Sequence, residues 1–385
     1  MNARRPILLA TGGTGGHVFP AEALGRALAA RGQAVAVITD RRGLDFHRGR
    51  SDLPAYAVRA ATPTAGGLAG RVRGVAELAL GTLQARALLK RLTPAAVVGF
   101  GGYASAPPVF AASLLGLPTA IHEQNAVLGR ANRFLARRAD RIALSFPGTV
   151  GLGKEEADKA VLTGNPVRPE IAAVAGTPYP ELVADGPLRL LVTGGSQGAS
   201  VFADILPTAI ARLPDGLRAR LEVTQQCRAE DLARVRAAYG RIGVAAETAP
   251  FFADLPARLA ATHLAIGRAG ASTVSELAAI GRPALLVPYL HAVDDHQTAN
   301  AHALDEAGGA WLMPQPAFTP EALAARLESF LALPATLTRA AACAKAAWPG
   351  DAAEKLADLV VNLASTDGAY GRGADPAPRP KESPA

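Results

Sequence analysis

Twice along the chain, a short apolar run stops at a pair of glycines and gives way to a helical pattern. Pro6 to Thr11 (PILLAT) reads as a buried strand, Gly12 to His17 (GGTGGH) as a turn, and Ala21 to Ala30 as a helix with Leu24 and Leu28 on one face. The unit recurs at Leu188 to Thr193 (LRLLVT), Gly194 to Ala199 (GGSQGA) and a helical run to about Leu213. Further apolar runs fall at Ala34–Thr39, Ala95–Phe100, Thr119–His122 and Arg141–Leu144, then at Leu221–Thr224, His263–Gly267, Ala284–Pro288 and Ala310–Met313. Near-continuous apolar strands alternating with helices specify a parallel sheet covered on both faces. The repeat of the unit implies an α/β fold of two similar doubly wound, Rossmann-like domains. At 385 residues the chain is long enough for both.

The prolines that cluster between Gly164 and Pro187 mark the expected boundary. This gives an N-terminal domain over 1–167 and a C-terminal domain over 168–349. The tail 366–385 is rich in Gly, Pro and charge and is expected to be disordered.

Composition narrows the function classes. The net charge is +7, from 40 Lys plus Arg against 33 Asp plus Glu, which suits an anionic partner or reflects a compositional preference for Arg. The two cysteines, Cys227 and Cys343, are far apart and argue against a disulfide framework or a zinc site. Met1 to Pro6 leads straight into the first strand, so no signal peptide is expected. No apolar stretch approaches the roughly 18 residues of a membrane-spanning helix.

The chemistry concentrates in glycine-rich loops: 12–17, 99–103 (GFGGY), 194–199, and 267–276 (GRAGASTVSE), which runs into a helix. A glycine turn before a helix presents backbone N–H groups at the positive end of the helix dipole, a geometry that binds phosphate or pyrophosphate. None of these loops fits the dinucleotide fingerprint or a Walker A loop. Several such loops on two nucleotide-type halves point to a cleft between domains, with a nucleotide-diphosphate sugar as its natural occupant.

These loops, in this order, resemble those of the MurG family of glycosyltransferases, in glycosyltransferase family 28. The matching pieces are GGTGGHVFPA (12–21), GFGGYAS (99–105), IHEQNAVLGRANR (121–133), GNPVR (164–168), GGSQGA (194–199), GRAGASTVSELAAIGRPALLVP (267–288) and DDHQTANA (294–301). The resemblance implies a GT-B fold, with a helix at about 350–365 returning to the first domain. It implies inverting transfer of N-acetylglucosamine (GlcNAc) from UDP-GlcNAc to the 4-hydroxyl of N-acetylmuramic acid (MurNAc) in undecaprenyl-pyrophosphoryl-MurNAc-pentapeptide, the lipid I to lipid II step of peptidoglycan synthesis. The implied location is the cytoplasmic face of the bacterial inner membrane, on an anionic surface beside other cell-wall synthesis proteins, with no nucleic-acid partner. The alternatives are another GT-B lipid glycosyltransferase, an enzyme like UDP-GlcNAc 2-epimerase, or a nucleotide-binding scaffold without catalysis.

Carried over residue by residue, the resemblance puts the donor pyrophosphate on Ser196 and the backbone from Gly195 through Gln197 to Gly198. The helix opening at Ala271, Ser272 and Thr273 adds its dipole, Glu276 accepts from the ribose hydroxyls, and Phe252 occupies a position that meets the uracil. Arg168 brings positive charge near the donor, and Gln297 with its neighbour His296 meets the sugar. Thr14, Gly15, Gly16 and Asn125 close from the first domain, with Tyr103 as a secondary contact. Inverting transfer needs a base for the acceptor hydroxyl and dipoles for the leaving UDP. No DxD motif stands in a loop, so neither a metal nor another cofactor is expected. His17 is the expected base, since imidazole ordinarily titrates near neutrality. Its alternative role is to orient the loop. Glu123 is the rival base, or an acceptor holder, or an ion-pair partner of a nearby Arg, and His122 is the weakest of the three.

A lipid-linked acceptor requires a membrane face. Residues 66–92 set Leu68, Val72, Val75, Leu78, Leu83 and Leu88 beside Arg71, Arg73, Arg86, Lys90 and Arg91, as an interfacial segment would. Gly66 to Arg73 is the expected lipid-facing loop. From Leu83 onward an ordinary helix packed on the sheet is an equal reading.

Overall fold

The computed structural model describes residues 5–47, 53–61, 67–183, 185–195 and 198–365. Ser196, Gln197 and the segment 366–385 therefore lie outside the described residues.

Two parallel sheets organise the chain. The first contains β1 (Ile7–Ala10), β2 (Val35–Thr39), β3 (Ala55–Ala57), β4 (Ala96–Gly99), β5 (Thr119–Glu123), β6 (Arg141–Leu144) and β7 (Ala160–Leu162), in the order β3-β2-β1-β4-β5-β6-β7. The second contains β8 (Leu188–Thr193), β9 (Leu221–Gln226), β10 (Ala245–Ala249), β11 (Leu264–Gly267), β12 (Ala284–Leu286) and β13 (Ala310–Leu312), in the order β10-β9-β8-β11-β12-β13. Strand order reverses between β1 and β4 in one sheet and between β8 and β11 in the other. Such switch points open a crevice at the carboxyl ends of the strands, where ligands bind. The loops after β1 and β4 are GGTGGH and FGGY, and those after β8 and β11 are GGSQGA and RAGAS. The glycine loops thus occupy the four positions that topology reserves for ligands.

The strands at the switch points are buried on both faces, which is why they read as continuous apolar runs. Ile7, Leu8, Leu9, Val97, Val98, Leu190 and Val192 are all buried. The edge strands β3, β7 and β10 are short or partly exposed, and no apolar run announces them.

The first helix begins at Gly15 rather than Ala21, so it takes in the end of the glycine loop and Pro20. Pro20 is the sixth residue of this helix, and it gives up the one ladder bond that its N–H would have made to the Gly16 carbonyl. The consequence is that His17 stands in the first turn of a helix and not in a loop.

The helix Ala352–Ser365 returns to the first domain. Leu356, Ala357 and Val360 pack with Ile7, Leu9, Leu24 and Leu28. Arg31, just past the first helix, fastens it through Glu354 (3.1 Å) and Asp358 (2.7 Å).

The segment expected to be a lipid-facing loop is different. Leu68–Leu92 is one continuous helix with Gly67 as its N-cap, so residues 67–73 form no loop beyond that cap, and Gly66 lies outside the described residues. Gly70 and Gly74 fall in its first two turns, and at about 1 kcal/mol each they cost too little to stop a helix of this length. At Gly81 the helix rides over the end of β3 so closely that a Cβ would lie 1.9 Å from the Arg59 carbonyl oxygen. Leu78 and Leu88 are half-buried, whereas Val72 (63% exposed), Val75 and Leu83 (62%) face outward beside Arg71, Arg73, Arg86 and Lys90. The side chain of Leu68 lies outside the described residues.

Candidate active site

The loops of the two domains meet across a cleft. Asn300, fully buried on the helix His296–Glu306, accepts from the Ala126 backbone N–H (2.7 Å). It donates to Asn125 Oδ1 (3.1 Å) and to the Ala269 carbonyl (3.1 Å). Asp294 of the second domain pairs with Arg130 (3.3 Å) and lies 3.7 Å from Arg133 of the first. Asp294 and Asp295 hold φ of 52° and 48°, a left-handed conformation that costs non-glycine residues of order 1 kcal/mol or more. Arg168 lies over the Phe19 ring of the first helix at 5.7 Å.

On the first domain, His17 sits in a slot made by glycine. Gly101 and Gly102 have φ of +81° and +72°, and a Cβ on either would come within 3.3 Å of the imidazole. A chain of hydrogen bonds runs inward from the ring. His17 Nδ1 lies 3.0 Å from Gln124 Oε1. Gln124 Nε2 donates to His122 Nδ1 (2.9 Å) and to the His122 carbonyl (3.0 Å). His122 Nε2 lies 3.1 Å from the Gly164 carbonyl. Burial holds His122 down to about 4, against the pull of the Gly164 carbonyl and with a further push from His17, so this histidine is neutral.

Glu123 stands beside this chain but points elsewhere. It is 2% exposed and accepts from Asn125 N (3.0 Å), Asn125 Nδ2 (3.3 Å), Gly129 N (2.9 Å) and Asn132 Nδ2 (2.8 Å). Among the described residues it forms no ion pair with an arginine; its partners are amides. The carboxylate organises the 124–129 loop, which carries Asn125 to the domain interface. Thr14 caps the first helix with an extended backbone and is exposed. A Cβ on Gly16 would meet nothing within 4 Å, so the backbone is open there, whereas at Gly15 it would press on the Phe19 ring. Tyr103 is half-buried and raises the Arg130 guanidinium, to which Asp294 contributes more.

On the second domain, Gly195 and Gly198 adopt φ of +78° and +67°, and a Cβ on Gly194 would lie 2.2 Å from the Ala199 nitrogen. The loop can close only with glycine there. Gln226 braces it, donating to the Gly195 carbonyl (3.0 Å) and to Pro250 O (3.2 Å) while its Oε1 accepts from Thr193 (2.8 Å). Ala271, Ser272 and Thr273 form the first turn of the helix Ala271–Ile280, capped by Gly270 without a side chain. Their N–H groups have no intrahelical partner and face the positive end of the dipole.

Glu276, on the same helix, is clamped by Arg168 through Nε (2.8 Å) and Nη2 (3.0 Å). Burial raises its carboxyl above the usual range, against the pull of Arg168. For Arg168 burial works downward, but the Glu276 carboxylate outweighs it and the guanidinium is raised. The Phe252 ring is 7% exposed and lies under Arg258 at 4.4 Å, whereas neighbouring Phe251 is 74% exposed. A base meeting position 252 would meet its backbone rather than its ring face. Gln297 Oε1 accepts from Tyr289 N (2.9 Å), and His296 Nδ1 lies 2.8 Å from the Val293 carbonyl.

Gln124, Asn132, Gln226 and Asn300 carry much of this architecture, and sequence reasoning singled out none of them. Their only signal was position inside the quoted motifs, or in the case of Gln226 a place two residues past the expected strand Leu221–Thr224, which the structure extends to Gln226.

Residues 7–144 match the glycosyltransferase family 28 N-terminal domain and residues 189–360 its C-terminal domain. The UDP-N-acetylglucosamine–N-acetylmuramyl-(pentapeptide) pyrophosphoryl-undecaprenol N-acetylglucosamine transferase of Rhodospirillum centenum is 58% identical, over 93% of this chain and 94% of that protein. The protein of the same name from Rhodospirillum rubrum is 54% identical, over 94% of this chain and 92% of its own length. The chain belongs to the MurG family of glycosyltransferases. A crystal structure of Acinetobacter baumannii MurG superposes with a TM-score of 0.77 at 32% identity, covering 93% of this chain and 99% of that one. A UDP-GlcNAc 2-epimerase from Neisseria meningitidis reaches a TM-score of 0.65 at 12% identity, a likeness that shows the fold alone.

Proposed function

We propose that this chain transfers GlcNAc from UDP-GlcNAc to the 4-hydroxyl of MurNAc in undecaprenyl-pyrophosphoryl-MurNAc-pentapeptide, with inversion. The observation that carries this reading is the near full-length identity to transferases of that name. The cleft supplies groups for each part of the reaction.

His17 takes the proton of the acceptor hydroxyl. The hydroxyl oxygen bonds to the anomeric carbon, the bond from that carbon to the phosphate oxygen breaks, and its electron pair leaves with UDP. The departing pyrophosphate is held by the loop from Gly194 to Ala199 and by the N–H groups of 271–273. Pre-aimed dipoles of this kind stabilise charge as it develops and need no reorganisation at the moment of reaction.

A carboxylate offers about four lone-pair sites. Glu276 therefore accepts from Arg168 and from the ribose hydroxyls together. His296 and Gln297 divide the sugar between them. With Nδ1 donating to the Val293 carbonyl, His296 has Nε2 left for the sugar. With Oε1 engaged by Tyr289, Gln297 presents amide hydrogens as donors.

Val72, Val75 and Leu83 with the surrounding Arg residues set the Leu68–Leu92 helix on an anionic bilayer surface. Half-buried Leu78 and Leu88 pack it to the domain behind. Among the described residues no helix is long and apolar enough to cross a membrane.

The test is transfer from radiolabelled UDP-GlcNAc to a short-chain acceptor analogue by wild type and by His17→Ala. Product with wild type is expected, together with a fall in turnover of about 10² or more in the variant and an unchanged donor KM. Donor binding without transfer to this acceptor would defeat the reading.

A further inference from the structure

We infer that Gln124 is a positioning residue that sets the tautomer of His17, reading it from a fixed reference at Gly164 through His122. This rests on the reading of His17 as the base.

The argument follows donors and acceptors along the chain of bonds. A backbone carbonyl only accepts, so His122 Nε2, 3.1 Å from Gly164 O, carries the proton. A neutral imidazole then has a bare Nδ1, and burial keeps this ring neutral. Bare Nδ1 needs a donor, and Gln124 Nε2 supplies one at 2.9 Å while its other hydrogen goes to the His122 carbonyl at 3.0 Å. Both contacts demand the same amide orientation. A flipped amide would set its oxygen against two acceptors inside a buried site. The oxygen therefore faces His17, and it too only accepts. His17 Nδ1 must carry the proton, and Nε2 is left bare on the far side of the ring. A base needs that bare nitrogen.

The reference end is itself held in place. Gly164 has φ +83°, and a Cβ there would lie 2.6 Å from Pro349 Cγ, so its carbonyl is locked where the chain passes between domains. Phe100 packs against the His122 ring at 5.5 Å, and Ser145 Oγ lies 3.4 Å from His122 Nε2. Tyr103 stands in the loop after β4 beside the slot glycines. Glu123 points away into the 124–129 loop. His122, the ring coupled by charge to His17, is neutral.

A mis-set tautomer in a base oriented by a hydrogen-bonding partner costs about 10⁴ in turnover where the wrong form is fully imposed. Here substitution leaves the ring free to exchange, so a smaller loss is expected. The experiment compares wild type, Gln124→Leu, Gln124→Glu and His17→Ala, using transfer from UDP-GlcNAc to the short-chain acceptor and ¹⁵N NMR of labelled histidine. Wild type should show His17 protonated at Nδ1 near pH 8. Gln124→Leu should shift His17 toward the Nε2–H form and lower kcat by about 10–10³-fold with donor KM unchanged. Gln124→Glu keeps an acceptor at His17 Nδ1, while its second oxygen meets His122 Nδ1, which must then take up a proton; the added carboxylate is the charge nearer to His17. This variant should retain more turnover than Gln124→Leu, with the acid limb of the kcat profile moved to higher pH.

Two outcomes overturn the idea: Gln124→Leu with wild-type turnover, or a turnover loss with the His17 tautomer unchanged and no shift of the acid limb in Gln124→Glu. If His17→Ala keeps full activity, the base reading itself fails, whatever Gln124 does.

Discussion

Replacing Asn300 by alanine tests whether one buried amide holds the cleft in its working arrangement. Asn300 makes three hydrogen bonds, two of them to the first-domain loop and one to Ala269 of its own domain. Each is worth about 1 kcal/mol net, and an orphaned buried partner costs about 1–3 kcal/mol more. If the interface stayed shut, the Ala126 N–H and the Ala269 carbonyl would both be stranded. The sum, about 5–9 kcal/mol, has a ceiling. Opening the domains hydrates both groups, so the closed form can lose no more than the free energy that separates it from the open one. A loss of about 2–4 kcal/mol to the closed form corresponds to roughly 30- to 1,000-fold in the closing equilibrium. That loss should appear as a fall in kcat/KM for UDP-GlcNAc and as a larger radius of gyration in solution scattering. Far-UV circular dichroism should stay unchanged, because each sheet keeps its own core. Asn300→Asp should be no better, since its second oxygen would face the Ala269 carbonyl. If Asn300→Ala kept kcat/KM within about threefold and the scattering curve did not move, the contact would be incidental and the reasoning wrong.

Glu276→Gln should raise the donor KM by about 10- to 100-fold with a smaller effect on turnover, because charge-assisted hydrogen bonds are worth about 1.5–3 kcal/mol. An unchanged KM in initial-rate measurements would remove Glu276 from the ribose. The buried His122, titrating at about 4 against an unfolded value near 6.5, makes the folded state bind fewer protons between those pH values. Its contribution to stability is therefore complete above pH 6.5 and is lost toward pH 4, about 3 kcal/mol in all. Buried His263, also pushed down by burial, adds in the same sense. Urea denaturation of His122→Phe should accordingly lose only part of the acid slope, and an identical slope would refute the assignment. Val72→Asp with Leu83→Asp should weaken binding to anionic-lipid vesicles about tenfold or more while UDP-GlcNAc binding stays the same. Full retention on vesicles would move the membrane face elsewhere.

The fold and the site were legible to different depths, and the difference is physical. Strands such as Ile7–Ala10 and Leu188–Thr193 announce themselves because both faces are buried, and their loops because glycine alone tolerates the backbone there. Ala55–Ala57 and Ala160–Leu162 are edge pieces of three residues each, held by one neighbour and lacking any pattern of their own. Gly66–Arg73 read as a loop because local glycine content was weighed above the length of the helical run that follows it. In the site, motif residues with distinctive chemistry could be named in advance, but their partners could not. Glu123 resembles a base on the page until Gly129 and Asn132, six and nine residues on, turn out to saturate it. Gln124 resembles a neutral spacer until Gly164, forty residues away, settles the direction of its amide. Hydrogen-bond direction is a property of a closed chain of donors and acceptors. It emerges only when the last carbonyl is in place, and that carbonyl lies where the two domains join. The proton of His17 is therefore set by the same junction that the two domains share.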